Sequence, residues 1–347
     1  MSDPNKKFMT TLHRLLTSYF DREELRTLCF DLGIHYDDLR GEGRASKARD
    51  LVSLLARRER MPELIELAQK HRPGGNWPSM PEPFVWDDQP EPTSPPPPIK
   101  PKHFEPETVH IPAGTFLMGS PAEDDTPEFE TPQHEVYLDA FRIGLYPVTN
   151  AQFAEFVWKT DRVAAKELLW DGNRPPQDQG KHPVTGVTWY ESLAYCQWLS
   201  EQTGRAYTLP SEAQWEKAAR GADGRRYPWG DVWDATRCHT APGPFAAVRA
   251  CAAQSPYGCY DMVGNAREWT RTLWGVSPRE PDQRYAYPWN DDARNDLSAP
   301  STTRRVVRGG RDSKLARYGC AVRHSCFPDR AGPRRNRHGF RVVLALT

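Results

Sequence analysis

Seven cysteines, ten histidines and a strongly uneven spread of charge are the places where this chain of 347 residues could begin to do chemistry. The cysteines, Cys29, Cys196, Cys238, Cys251, Cys259, Cys320 and Cys326, are odd in number, and Met1–Lys7 lacks the apolar stretch of a secretory signal. Reduced thiols in a cytoplasmic protein are therefore expected, not a disulfide framework. Cys238-His239 and His324-Ser325-Cys326 carry zinc-type donors, but neither forms the paired motif that tetrahedral coordination needs. The 46 basic and 46 acidic residues cancel overall, yet residues 304–347 hold twelve Lys/Arg against only Asp312 and Asp329. Such a segment could bind phosphate or nucleic acid. Its arginines alternate with strand-like and turn-like residues instead of forming one stripe. Internal pairing with acids such as Glu123, Asp124, Asp125, Glu128 and Glu130 is the expectation, and a nucleic-acid partner is not.

The elements that must position these groups divide at proline. Twelve of the 33 prolines fall between Pro73 and Pro106, including Pro95–Pro98, so residues 73–106 should be an extended, semi-rigid linker. Ahead of it, residues 1–72 read as four short helices. Phe8, Leu12, Leu15, Leu16 and Phe20 give a 3–4 spacing. Asp21 and Glu24 form a capping box for a second helix, whose buried side is Leu25, Leu28, Cys29 and Leu32 and which Gly33 ends. A third runs from about Ser46 through Leu51, Val52 and Leu55, and a fourth follows Pro62. Cys29 lies on an apolar face and is expected to pack, not react. No apolar run approaches the roughly 18 residues of a spanning helix, so no membrane partner is expected. The stretches Leu25–Ile34 and Gly41–Val52 resemble bacterial effector-associated, death-like adaptor domains. That resemblance implies pairing with an effector or sensor protein bearing a matching domain.

Residues 107–347 have a different texture: short β-rich runs between Gly, Pro and Trp, with ten of the twelve tryptophans at or after Trp158. Three helices are expected, Asn150–Val157, Trp189–Glu201 and one following Ser211, so the class is α+β with few regular elements. Ile111–Ser120, Tyr146–Phe153, His182–Val184, Leu209–Glu216, Tyr227–Gly230, Asp261–Trp269, Arg308–Gly310 and Gly339–Arg341 occur in an order that resembles the formylglycine-generating-enzyme-like (sulfatase-modifying factor) domain, a relative of the C-type lectin fold. The enzyme members oxidise a substrate cysteine with Cu(I) held by two thiolates, a soft ion that needs soft ligands. Cys320 matches the second of that pair, Leu315 stands at the first, and Arg267 precedes Glu268 where Trp is frequent. Cys326, six residues on, is expected in a surface loop. Formylglycine chemistry at Cys320 is thus the alternative reading, not the favoured one. Iron-dependent sulfoxide synthases of the wider family draw histidines from an added helical domain, and His13, His35 and His71 have no useful metal spacing. The resemblance also implies a structural Ca2+ held by side-chain oxygens of Asp261 and Glu268 and the carbonyls of Gly264 and Ala266, hard donors in a tight turn.

Some proteins of this fold are diversified by retroelements that mutate template adenines just before a Gly-Phe-Arg strand, here Gly339-Phe340-Arg341. A randomised AAC codon cannot yield Lys, Glu, Gln, Met or Trp. These types make up 62 of the 347 residues, yet residues 311–338 contain only Lys314 where about five would be expected. The window would then be a ligand-binding surface of mixed aromatic and cationic character. Arg311, Asp312, Ser313, Leu315, Tyr318 and Val322 would supply its first part. His324, Ser325, Cys326, Phe327, Arg330, Arg335 and Arg337 would supply the rest, facing a protein or other ligand.

Overall fold

A computed structural model describes residues 4–36, 39, 44–57, 60–81, 102–122, 126–240, 243–252, 254–282, 293–310, 319–332 and 337–346. The chain forms two compact units, Met1–Glu91 and Pro92–Thr347. In the first, helices α1 (Pro4–Tyr19), α2 (Arg22–Asp31), α3 (Arg44–Arg57) and α4 (Met61–His71) follow the apolar spacing of the sequence. Asp21 and Glu24 close the capping box of α2. Phe8, Leu12, Leu16, Phe20, Leu25, Leu28, Leu51, Leu55 and Leu64 form one buried cluster, in which Cys29 is packed and its thiol pushed up to about 12 by burial. Arg72, just past α4, pairs with Glu24, and His71 with Asp31, tying the last helix to both ends of α2.

The second unit is α+β, as its sequence suggests. One antiparallel sheet has the order β1 (Thr108–Ile111), β4 (Phe141–Gly144), β10 (Val343–Ala345), β5 (Tyr207–Thr208). β2 (Gly114–Met118) pairs with β3 (His134–Leu138). A third sheet has the order β8 (Arg323–Cys326), β7 (Arg304–Gly310), β6 (Gly264–Gly275), β9 (His338–Phe340), antiparallel except between β6 and β9. Helices α5 (Asn150–Lys159), α6 (Trp189–Thr203) and α7 (Glu212–Arg220) each begin with a complete capping box, at Thr149–Gln152, Thr188–Glu191 and Ser211–Gln214. Aromatic packing joins α5 and α6 to the last strands: Phe153 stacks on Tyr195 at 5.8 Å, and Tyr195 meets Phe340 edge-on at 5.3 Å. Trp189, Trp215 and Trp269 are fully buried. Each such ring removes on the order of 200 Å² from water, about 5 kcal/mol at 25 cal/mol per Å². Among the described residues no helix is long and apolar enough to cross a membrane.

Candidate functional site

Helix α7 is the hub on which the C-terminal strands hang. Its nine residues carry Glu212, Trp215, Glu216, Lys217 and Arg220, all buried. Glu212 takes a bidentate pair from Arg323 of β8, both bonds 2.8 Å. Glu216 pairs with Arg308 of β7 and with Arg220 at 2.7 Å, and it accepts the Gly119 amide at 2.7 Å. The Trp215 indole donates to Glu268 of β6 at 2.8 Å, and Arg341, just after β9, grips the same carboxylate at 2.6 and 2.7 Å. Lys217 donates to the carbonyls of Pro112 and Gly114, both at 2.8 Å, and burial lowers it to about 8. Of the described basic residues in the C-terminal segment, Arg308, Arg323 and Arg341 are therefore paired internally, with Glu216, Glu212 and Glu268. Of the acids expected to pair with it, Glu123–Asp125 lie outside the described residues and Glu130 joins the cluster without a hydrogen bond to its Oε2. Burial pushes Glu130 up to about 7, in spite of the neighbouring charges of Arg308 and Arg323.

The same arginines fasten the base of the proposed binding window. Arg308 donates to the carbonyls of Cys320 at 2.9 Å and Ala321 at 3.1 Å, so one side chain bridges the two ends of residues 311–318. Gly319 has φ +67°, and a Cβ there would lie 2.0 Å from the Arg226 carbonyl that accepts the Cys320 amide. Only glycine satisfies both constraints. Further on, the His338 amide donates to the Ala331 carbonyl at 3.0 Å, closing the base of residues 332–337.

Arg311, Asp312, Ser313, Leu315, Tyr318 and Arg335 lie outside the described residues. Val322 does not face a ligand: it follows the buried helical turn Gly319–Ala321 and is itself buried in the cluster that holds Trp215 and Met262. His324, Ser325 and Cys326 are half-buried on β8, the edge strand of its sheet. Cys326 is thus in a strand opposite Arg305, not in a surface loop, because the β7–β8 ladder runs through it. Phe327 is half-buried, with the Arg304 guanidinium 4.0 Å and that of Arg330 5.2 Å from its ring centroid. Arg337 is half-exposed.

Copper and calcium are not equally well matched by these positions. Cys320 is 1% exposed, packed with Phe141 and Trp215, and burial pushes its thiol up to about 12. With Leu315 in place of a second thiol, the donor set does not fit two-coordinate Cu(I). The calcium turn is better suited. Asp261, held at φ +57°, is buried, and its Oδ2 lacks any hydrogen-bond partner. Burial raises this carboxyl to about 6. Glu268 Oε1 accepts a single hydrogen bond, from Arg341, so acceptor capacity is left on that oxygen. Asp261 and Glu268 against Arg341 leave a local surplus of negative charge that one hard cation would balance. The network of Glu212, Glu216 and Arg220 was not foreseen as a supporting frame, and neither was Arg304 as a member of the surface. The alternation of buried and turn-like residues around Arg308 and Arg323 was the available signal.

Residues 94–346 match the sulfatase-modifying factor enzyme 1-like domain, and residues 12–73 match effector-associated domain 7. The chain is 31% identical over 263 residues to a serine/threonine-protein kinase pkn1 of Chlamydia caviae, covering 72% of this chain but 39% of that protein. It is 31% identical over 258 residues to the inactive C-alpha-formylglycine-generating enzyme 2 of Mus musculus, covering 59% of this chain and 81% of that one. The fold is shared with Treponema denticola variable protein 1, at 20% identity and a TM-score of 0.51 over 68% of this chain and 94% of that one. Matched over most of its length, the chain belongs to the sulfatase-modifying factor enzyme 1-like family and carries an effector-associated domain ahead of that domain.

Proposed function

We propose that this protein is a cytoplasmic recognition protein. Its N-terminal domain recruits an effector protein in a bacterial signalling or defence system, and its C-terminal domain binds a ligand through residues about 311–338. The observation that carries this reading is the state of the family's chemistry: the copper pair is reduced to Cys320, and that thiol is buried and protonated. Support comes from the likeness to a relative described as inactive and to a structure described as a variable protein. The Arg308 bridge adds to it, because a base fastened by buried pairs tolerates many sequences in the segment it closes. Calcium at Asp261, Gly264, Ala266 and Glu268 would be structural, stiffening the turn from which β6 starts.

The test is to sequence the 3′ end of this gene across a population of its host. Substitutions should fall within codons 311–338, at template-adenine positions, and should spare Gly319, Cys320, Val322 and Arg323. A uniform window, or changes spread evenly through buried and exposed codons, would overturn the diversified surface. The companion assay supplies Cu(I), oxygen and cysteine-containing peptides to the full chain. No peptide mass shift is expected, and a shift abolished by Cys320→Ser would restore the enzyme reading.

A further inference from the structure

Six of the described arginines of the C-terminal segment sort into two kinds. Arg308, Arg323 and Arg341 each spend their guanidinium on a buried glutamate. Arg305 is buried against Trp189, 4.1 Å from its ring centroid, and donates to the carbonyls of Arg271 and Asp296. Arg304 and Arg330 are different, because neither has a carboxylate partner. Arg304 makes one long hydrogen bond, 3.5 Å to the Ser325 carbonyl, and its Nε is buried without an acceptor. Arg330 is exposed, and among the described residues its polar contacts use only its backbone: its amide donates to the Phe327 carbonyl, and its carbonyl lies 4.0 Å from Cys326 Sγ. Both guanidiniums nevertheless sit against the ring of Phe327. Asp329, the acid between Phe327 and Arg330, is exposed and forms no ion pair with either arginine.

Two like charges held near one aromatic ring repel each other, and an anion bound beside them lowers that cost. A carboxylate offers two oxygens with about four acceptor sites, and planar guanidiniums match it geometrically. An apolar neighbour is at hand: the Trp189 amide donates to the Pro328 carbonyl at 3.0 Å, bringing the first turn of α6, with Tyr190 43% exposed, beside Phe327. Aromatic rings together with Arg are the composition of protein-binding surfaces.

We propose that Arg304, Phe327 and Arg330 form a clamp for an acidic side chain of a protein ligand, with Tyr190 receiving an adjoining apolar residue. This rests on the reading that this face of the domain binds a ligand, and it names the ligand's chemistry. Nucleic acid is disfavoured by the same sorting of charges. Strong phosphate binding needs several uncommitted cations along a track, and among the described residues the neighbouring Arg305, Arg308 and Arg323 are spent on glutamates and carbonyls.

The experiment uses the full chain and fluorescence anisotropy at low salt. The probes are a labelled peptide of alternating Glu and Leu, the same peptide with Gln for Glu, and a short single-stranded DNA. The Glu peptide should saturate, and the Gln peptide should bind at least about ten-fold more weakly. Arg304→Gln and Arg330→Gln should each weaken the Glu peptide at least about five-fold at an unchanged melting temperature. Arg330→Lys should recover only part of the loss, because it keeps the charge without the planar fork. Equal binding of the two peptides, unaltered binding by both variants, no saturation up to millimolar peptide, or tighter binding of the DNA would each overturn the clamp. The outcome separates from the parent reading: a population-variable window with no acid preference removes the clamp alone, whereas a uniform window removes the diversified surface and leaves the clamp to the peptide data.

Discussion

Glu130 gives a prediction that runs against the intuition that a carboxylate among arginines must stabilise. Its side chain is 2% exposed, Oε2 has no hydrogen-bond partner, and its carboxyl is raised from 4.5 to about 7. An acid whose folded-state pKa is raised is favoured in its neutral form. Its contribution is fully present below about 4.5 and is lost as pH rises through about 7. At 1.36 kcal/mol per unit, the loss between pH 5 and pH 8 is about 2–3 kcal/mol. Glu130→Gln keeps the shape and stays neutral, so it should remove this slope. The variant should match the parent near pH 5 and exceed it by about 2–3 kcal/mol at pH 8. Urea unfolding followed by tryptophan fluorescence measures both, since ten of the twelve tryptophans lie at or after Trp158. Other groups titrate in both proteins and cancel in the difference. If Glu130→Gln is instead less stable at pH 8, the ionised carboxylate is serving as counter-ion to Arg308 and Arg323, and the reasoning from burial is refuted.

Glu216→Gln should cost about 3–5 kcal/mol in the same unfolding assay, because it strands the buried guanidiniums of Arg308 and Arg220; a loss below about 1 kcal/mol would mean that they relax to backbone carbonyls. Iodoacetamide applied to the native chain should label the half-buried Cys326 and Cys251 before the buried Cys320, Cys196 and Cys259. Early modification of Cys320, read by peptide mass spectrometry, would return it to the list of reactive groups. Calcium should raise the melting temperature of the parent chain with a saturable dose dependence. Asp261→Asn should blunt that response, and a response unaffected by the substitution would place the ion elsewhere.

What the sequence disclosed and what it withheld separate along contact range. Helix signals are local: the Asp21–Glu24, Thr188–Glu191 and Ser211–Gln214 boxes each span three residues, and all are formed. The ordered run of glycine, tryptophan and arginine motifs was enough for the α+β frame. The ion pairs that fasten that frame are not local. Arg323 reaches Glu212 across 111 positions, Arg308 reaches Glu216 across 92, and Arg341 reaches Glu268 across 73. The run of acids from Glu123 to Glu130 was the conspicuous counter-charge in the sequence, yet the partners are the scattered Glu212, Glu216 and Glu268, because charge pairing in a folded chain follows the packing of its elements and not the clustering of its acids. Val322 was misjudged for a related reason: it lies between the turn Gly319–Ala321 and β8, where no strand alternation assigns it a face, and its place in the cluster of Trp215 and Met262 depends on residues distant in sequence.

Buried pairs of this kind seldom add much net stability over apolar packing of equal volume, because desolvation offsets attraction. Their effect here is better placed in geometry. Arg308 fixes the end of β7 to α7 and to the carbonyls of Cys320 and Ala321, while Arg323 fixes the start of β8 to the same helix. The two ends of residues 311–318 are thereby held by groups outside that segment. A substitution inside the segment leaves those bonds in place, whereas a substitution at Glu212, Glu216, Arg308 or Arg323 releases the base. A surface that changes its ligand without losing its fold needs this division of labour. It predicts that destabilising variants cluster in α7 and at the two arginines, and that residues 311–318 tolerate exchange at little cost in melting temperature.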